Sequence, residues 1–275
     1  MTSAKDLIVK PISGKDAAAL VRRVHYSGKV VQNSQLHLGV FLDGRLEGAM
    51  QFGPSLDKRR MQGLVSGTGW NGFIELNRMA FGEALPRNSE SRALSVAFRM
   101  IRKTYPHIEW IVSFSDGAQC GDGTIYRASG FLLTGIKKNT SIWKAPSGES
   151  FSRTSLTDGS SKQQQQQARQ IVSRTTVAKG AHAAQAGGGA SMKIYKDAGW
   201  EPIPGFQIRY VYFLNPAARE RLTVPVLPFS KIDEMGAGMY KGKPKRMKQA
   251  NSGDQPESGG AAPTHALQLL QDASI

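Results

Sequence analysis

Apolar positions recur with a helical period over Asp16–Val24, and His25-Tyr26-Ser27-Gly28 closes that run with a turn signal. Two strand patterns follow, Leu36–Leu42 and Leu46–Phe52, and Asp43-Gly44-Arg45 between them predicts a hairpin. Ile74–Phe81 reads as a third strand, after which Leu85-Pro86 opens a loop. The strongest helical pattern is Ser89–Thr104, where Ala93, Leu94, Ala97, Phe98, Met100 and Ile101 share one face. Arg92, Arg99 and Lys103 lie on another face, Asn88 or Ser89 can cap the first turn, and Tyr105-Pro106 stops the helix. Ile108–Phe114 is a nearly continuous apolar run, as a strand at a sheet centre requires. A short helix over Thr124–Ser129 ends at Gly130, and Phe131–Trp143 returns as extended chain.

Beyond that point the pattern changes. Residues 144–190 are turn-rich, carry QQQQQ at 163–167 and end in the small-residue run AHAAQAGGGA. Met192–Ala198 is helix-like and Ile208–Leu214 has strand composition. The organisation expected is an α/β core over 1–143, a partly helical, low-complexity insertion over 144–205, and strands completing the core over 206–240. A basic, disordered tail is expected over 241–275. The glutamines and KGKPKRMK read as solvated segments, the latter adding non-specific affinity for DNA.

Charge narrows the partners. Lys plus Arg number 36 against 21 Asp plus Glu, for a net charge of +15, and residues 1–150 alone hold 20 basic against 12 acidic residues. Excess cation spread through a folded body suits a polyanion, because Lys and Arg displace counterions condensed on phosphate. No apolar run is long enough to span a bilayer, and MTSAKDLIVKP lacks signal-peptide features, so no membrane partner and a cytoplasmic location are expected. The single Cys120 rules out an internal disulfide and a cysteine-based zinc cluster.

The order strand, loop, amphipathic helix, apolar strand, short helix and strand has a chemical use. Where two neighbouring parallel strands splay, a phosphate-bearing cofactor can enter the gap, its pyrophosphate facing free N–H groups at the helix start. ELNRMAF with the Ser89 helix, and IYRASGF at 125–131, resemble the cofactor-binding centre and tyrosine turn of the GNAT acyltransferase fold. That resemblance implies an α/β, GNAT-like fold: a mixed central sheet with splayed strands, flanked by helices. Its usual pyrophosphate loop carries glycines, whereas Arg87-Asn88-Ser89-Glu90-Ser91-Arg92 has none, so serine hydroxyls and arginines would have to serve.

HYSGKVV, ELNRMAF, LPRNSESRA, QCGDGTIYRASGF, PGFQIRYVYFL and GAGMYKG, spread over residues 25–242, closely resemble the Mom family of phage DNA modification proteins. The resemblance implies conversion of adenine N6 in double-stranded DNA to a methylcarbamoyl derivative, which shields phage DNA from host restriction. It also implies an acyl-CoA-like donor such as acetyl-CoA, and an iron site has been suggested for the family. The oligomeric state stays open, a dimer included. The competing readings are a GNAT enzyme acylating a protein or small-molecule amine, and a DNA-binding protein without catalysis.

Each candidate residue has a structural alternative. His25 and Tyr26 can act as base or ligand, or simply close a helix and fill the core. Asp116 stands where ligand-facing residues of open α/β sheets lie, or makes a turn cap. Tyr126 occupies the GNAT tyrosine position, or is a core aromatic. Tyr126, Asp116, His25 and Tyr26 are the catalytic candidates, and His25 with Asp116 could contribute to an iron site. Asn77 and Arg78 interrupt an apolar strand, and a buried arginine needs a phosphate or a carboxylate such as Glu75. With Ser89, Ser91 and Arg92 they form the expected cofactor-binding set. Cys120 as a nucleophile and Trp70 as a stacking surface are secondary possibilities.

Overall fold

The structure is a computed structural model that describes residues 3–25, 28–117, 121–157, 162–177, 192–240 and 243–244. Chain order begins with β1 (Ile8–Pro11), α1 (Gly14–Val24), β2 (Leu36–Leu42), β3 (Arg45–Gly53), α2 (Lys58–Gln62) and β4 (Phe73–Phe81). It continues with α3 (Ser89–Thr104), β5 (Trp110–Asp116), α4 (Thr124–Ala128) and β6 (Leu132–Asn139). A small subassembly follows: β7 (Ile142–Lys144), β8 (Ser150–Ser152), α5 (Arg153–Thr157), α6 (Lys162–Val177), α7 (Met192–Asp197) and β9 (Glu201–Pro202). The chain then returns to the main sheet as β10 (Gly205–Phe213), followed by α8 (Ser230–Glu234) and the hairpin β11 (Met239–Tyr240) with β12 (Lys243–Pro244).

The main sheet runs β1-β2-β3-β4-β5-β10-β6. Only β4 and β5 pair in parallel; the other neighbours are antiparallel. The β2–β3 turn places Asp43 and Gly44 at positive φ (49° and 76°), the two-residue geometry that follows strand twist. Because successive strand residues face opposite sides, Ala49 packs with Ala17 and Leu20 of α1, while Met50 and Phe52 join the core beneath α3. The sheet is therefore covered on both faces. On the α2 face Phe73 stacks on Trp110 at 4.4 Å, and the indole N–H donates to Thr68 Oγ1 at 3.0 Å, so its polar edge is satisfied in the core. This is the mixed sheet with flanking helices that the GNAT resemblance implies.

Several local expectations shift. Asn88 starts α3 in the left-handed region (φ 69°) and makes no side-chain cap, while the Ser89 hydroxyl donates backwards to Pro86 O. Met100 is half-buried, at the edge of the helix's core face. The extended run over 131–143 divides between two sheets, with β6 in the main one and β7 in a three-stranded sheet ordered β8-β7-β9. The pentaglutamine lies within α6 and Gln165 is buried there, so this stretch is not a solvated segment throughout. The 144–205 region has its own core, in which Trp143, Phe151, Leu156, Val172, Tyr195 and Trp200 meet. The Tyr195 hydroxyl donates to Leu156 O at 3.0 Å inside it. The expected tail, apart from the β12 residues, lies outside the described residues. Among the described residues no helix is long and apolar enough to cross a membrane.

Candidate active site

β4 and β5 stay together for only three residue pairs, Phe73–Trp110, Ile74–Ile111 and Glu75–Val112. Past that point β4 is held only by β3 and β5 only by β10. Ser113 marks the parting, its hydroxyl donating to Leu76 O at 3.3 Å. β4 also carries a bulge here: Gln51 pairs with Arg78 and Phe52 with Leu76, leaving Asn77 as the extra residue. A bulge bends its strand and re-aims neighbouring side chains. Asn77 needs room to do this. A Cβ on Gly53 would sit 2.8 Å from its Oδ1 and 2.6 Å from Asn33 O, so Gly53 keeps that space open.

A cavity of about 310 Å³ occupies the gap. Four consecutive β4 residues, Leu76 to Met79, form one wall, and Phe114 and Ser115 of β5 form the other. His25 enters from the end of α1, and Gly121 to Tyr126 close the side occupied by α4. Helices on opposite faces of the sheet thus send side chains into one opening, which is possible only where the strands part.

Arg78 brings a guanidinium to the cavity wall. Arg78 donates through Nε to Lys29 O at 3.1 Å and through Nη1 to Asn77 O at 2.7 Å. Among the described residues no carboxylate lies within salt-bridge distance of it. Glu75, the expected partner, is instead hydrogen-bonded to Ser55 and Asn77, and burial raises its pKa against the pull of those bonds and of Arg78. Burial, then Arg78, lowers the His25 pKa to about 4, so the imidazole is neutral at physiological pH. The same two causes lower the Lys29 ammonium, which donates to Ser155 Oγ at 3.0 Å and so ties this wall to α5.

The expected residues divide. His25, Asn77, Arg78 and Tyr126 line the one cavity. Asp116, at the end of β5, is not among its lining residues; its Oδ2 accepts from Asn139 Nδ2 at 3.1 Å. Ser89 is buried and bound to Pro86 O, Ser91 donates to Asn88 O at 3.1 Å, and Arg92 is exposed on α3. Both serine hydroxyls spend their proton within the loop, and the Ser89 N–H likewise donates to Pro86 O at 3.2 Å. Tyr26 and Cys120 lie outside the described residues. Trp70 is exposed, with Lys58 Nζ 4.5 Å from its ring centre, and is not part of the cavity wall.

Sequence reasoning missed Ser115, Asp122, Gly123 and Thr124. Asp122 is a buried carboxylate that accepts from Thr124 Oγ1 at 2.9 Å and pairs with Arg127 at 3.2 Å. Its backbone carbonyl accepts the Tyr210 hydroxyl at 2.5 Å. Gly123 follows at φ +79°, and a Cβ there would come within 2.4 Å of the Tyr210 ring. Tyr126, in turn, has its ring centre 5.2 Å from those of both Tyr210 and Phe131. The Asp-Gly pair was the available signal, since a turn carboxylate before glycine places α4 and hence Tyr126. Among the described residues no three His, Cys, Asp or Glu side chains form a metal-holding group.

Comparison with known proteins adds the following. The chain matches the Mom protein family over residues 6–231. It is 43% identical over 138 residues to methylcarbamoylase Mom of Escherichia phage Mu, a match covering 50% of this chain and 57% of that relative. The chain therefore spans little more than half the length of that relative. Among solved structures, a GNAT acetyltransferase from Streptococcus pneumoniae aligns at 15% identity over 48% of this chain and 88% of its own, with a TM-score of 0.34. A GNAT acetyltransferase from Desulfovibrio desulfuricans aligns at 11% identity over 76% and 99%, with a TM-score of 0.36. One from Brucella melitensis, solved in complex with acetyl-CoA, aligns at 18% over 46% and 82%, with a TM-score of 0.33. Scores of this size decide neither fold nor activity.

Proposed function

Because this chain belongs to the Mom protein family, we propose that it is a methylcarbamoylase that modifies the exocyclic N6 of adenine in double-stranded DNA. In a phage this would shield the viral genome from restriction endonucleases. The observation that carries the reading is the split between β4 and β5, where His25, Arg78 and Tyr126 reach one cavity from separate elements.

The chemistry explains why such a split is useful. The N6 lone pair is conjugated into the purine, and in a duplex the amine is paired, so the base must leave the stack at a cost of a few kcal/mol. Leu76, Met79 and Phe114 offer apolar surface to a planar ring. As N6 bonds to an electrophilic carbon its N–H becomes acidic and needs an acceptor. Neutral His25 can take that proton without first losing one. The Arg78 guanidinium, which makes no salt bridge among the described residues, meets negative charge on the donor or the DNA. Tyr126, fixed between Tyr210 and Phe131, places a hydroxyl where a leaving group can be protonated.

An acyl-CoA-like donor fits the residues present: β4 and β5 diverge beside the cavity, and α3 begins next to Arg87 and carries Arg92 in its first turns, at the positive end of its dipole. When bound, such a donor would supply the two-carbon acyl unit; the amide nitrogen of a methylcarbamoyl group is absent from a thioester and would come from a separate ammonia- or amine-donating co-substrate. The net charge of +15 supports a duplex as the macromolecular substrate. DNA from cells expressing the chain, digested to nucleosides and weighed by mass spectrometry, should contain a deoxyadenosine species of methylcarbamoyl mass that is absent from control cells. Unmodified deoxyadenosine in well-expressing cells would refute the activity.

A further inference from the structure

Ser115 stands out among the cavity residues because no described residue uses its hydroxyl. It is 3% exposed and lines the gap, yet its Oγ has no hydrogen-bond partner among the described residues. The register gives the reason. β5 pairs regularly with β10 from Trp110 to Asp116, so Ser113 and Ser115 point to the same face. Ser113 still reaches across to Leu76 O. Two residues further on, the strands have separated and the equivalent hydroxyl faces the opening. Leaving a buried hydroxyl unpaired is costly, and a native fold retains one where something absent from the folded chain completes it.

We propose that the Ser115 hydroxyl is a donor-contacting group that gives its hydrogen bond to a carbonyl oxygen of the acyl donor seated in the split. The inference rests on the acyl-donor reading above. A hydroxyl needs an acceptor here, and the carboxylate on this side of the cavity is already engaged: Asp122 accepts from Thr124 and pairs with Arg127. Ser115 lies on the wall that Ile125 and Tyr126 close, so the contact holds the carbonyl on the tyrosine side of the gap, leaving the His25 side for the purine.

The test uses the full chain as wild type, Ser115→Ala and Ser115→Thr. Three quantities are measured: acetyl-CoA affinity by calorimetry, Tm without ligand, and modified deoxyadenosine in expressing cells. Ser115→Ala should bind acetyl-CoA about tenfold more weakly, the loss expected for one hydrogen bond to a ligand, with a matching fall in modification. Ser115→Thr, which keeps the hydroxyl, should recover most of both. The Tm of Ser115→Ala should stay level or rise, because a buried unpaired group has been removed. Equal acetyl-CoA binding by wild type and Ser115→Ala overturns the inference, even if modification is lost, for the hydroxyl would then serve the purine. A Tm several degrees lower overturns it too, by making the hydroxyl structural. If wild-type protein binds acetyl-CoA in a Ser115-dependent way but leaves DNA unmodified, the activity fails and the contact stands. Wild-type protein that does not bind acetyl-CoA overturns the contact as stated, and the nucleosides then judge the activity alone.

Discussion

Replacing His25 by Gln should change how stability responds to acid, and by an amount that the site itself sets. The unfolded chain takes a proton on this imidazole near pH 6.5, whereas burial and the Arg78 guanidinium delay protonation of the native site to about 4. Each pKa unit is worth about 1.4 kcal/mol, so roughly 3 kcal/mol of native stability depends on the ring staying neutral. The sign follows from proton counting. Between those two values the unfolded state binds more protons than the native state, so stability falls as pH is lowered. The contribution is complete above pH 6.5 and is lost progressively as the pH approaches 4. Urea unfolding of wild type and His25→Gln at several pH values isolates the effect, since every other titrating group is shared. The difference between the two curves should be flat above neutrality and then shift by about 3 kcal/mol against the wild type toward pH 4. Curves that stay parallel throughout would mean that His25 is not held neutral, and a proton acceptor at this position would lose its support.

Two further substitutions probe how the site is built. Gly123→Ala places a Cβ at positive φ and 2.4 Å from a ring atom of fully buried Tyr210, so strain and overpacking should together cost about 2–4 kcal/mol in urea unfolding. It should also depress modification by moving α4, and a change below about 0.5 kcal/mol would contradict the packing. Leu156→Ala empties a fully buried position in the small core and should cost that core about 2–5 kcal/mol. Hydrogen exchange should accelerate over 142–202 while β5 and β10 stay protected; equal loosening of the main sheet would show that the two cores unfold as one.

Local patterning carried far along this chain. The period of apolar residues placed α3 at Ser89–Thr104 as observed, because one face of that helix had to be apolar wherever it packed. Asp43-Gly44 specified its hairpin, and Gly130 at φ +82° ended α4, since both positions demand backbone that few other residues adopt. The nearly continuous apolar run around Val112 announced a strand buried on both sides. His25, Asn77, Arg78 and Tyr126 were legible as candidates because a polar or titratable group inside an apolar pattern is conspicuous wherever it falls.

Tertiary structure decided what those residues share. The three-pair limit on β4–β5 pairing cannot be read from either strand alone, and it is this limit that opens a cavity between α1 and α4. Asp116 was a candidate from its place at the end of an apolar run, and only the fold shows that it accepts from Asn139, on a strand two places away in the sheet, and is not among the residues lining the cavity. Ser115 carried no signal in the sequence, and only strand divergence leaves it without the partner that Ser113 still reaches among the described residues. The glutamine run looked like solvent-exposed low complexity, and only the packing of α6 against Tyr195 and Trp200 gave it a buried side. Composition and periodicity are sums over neighbours in sequence, so they specify elements and their apolar faces. Which polar groups stay unpaired depends on distances between elements, and those exist only once the chain has folded.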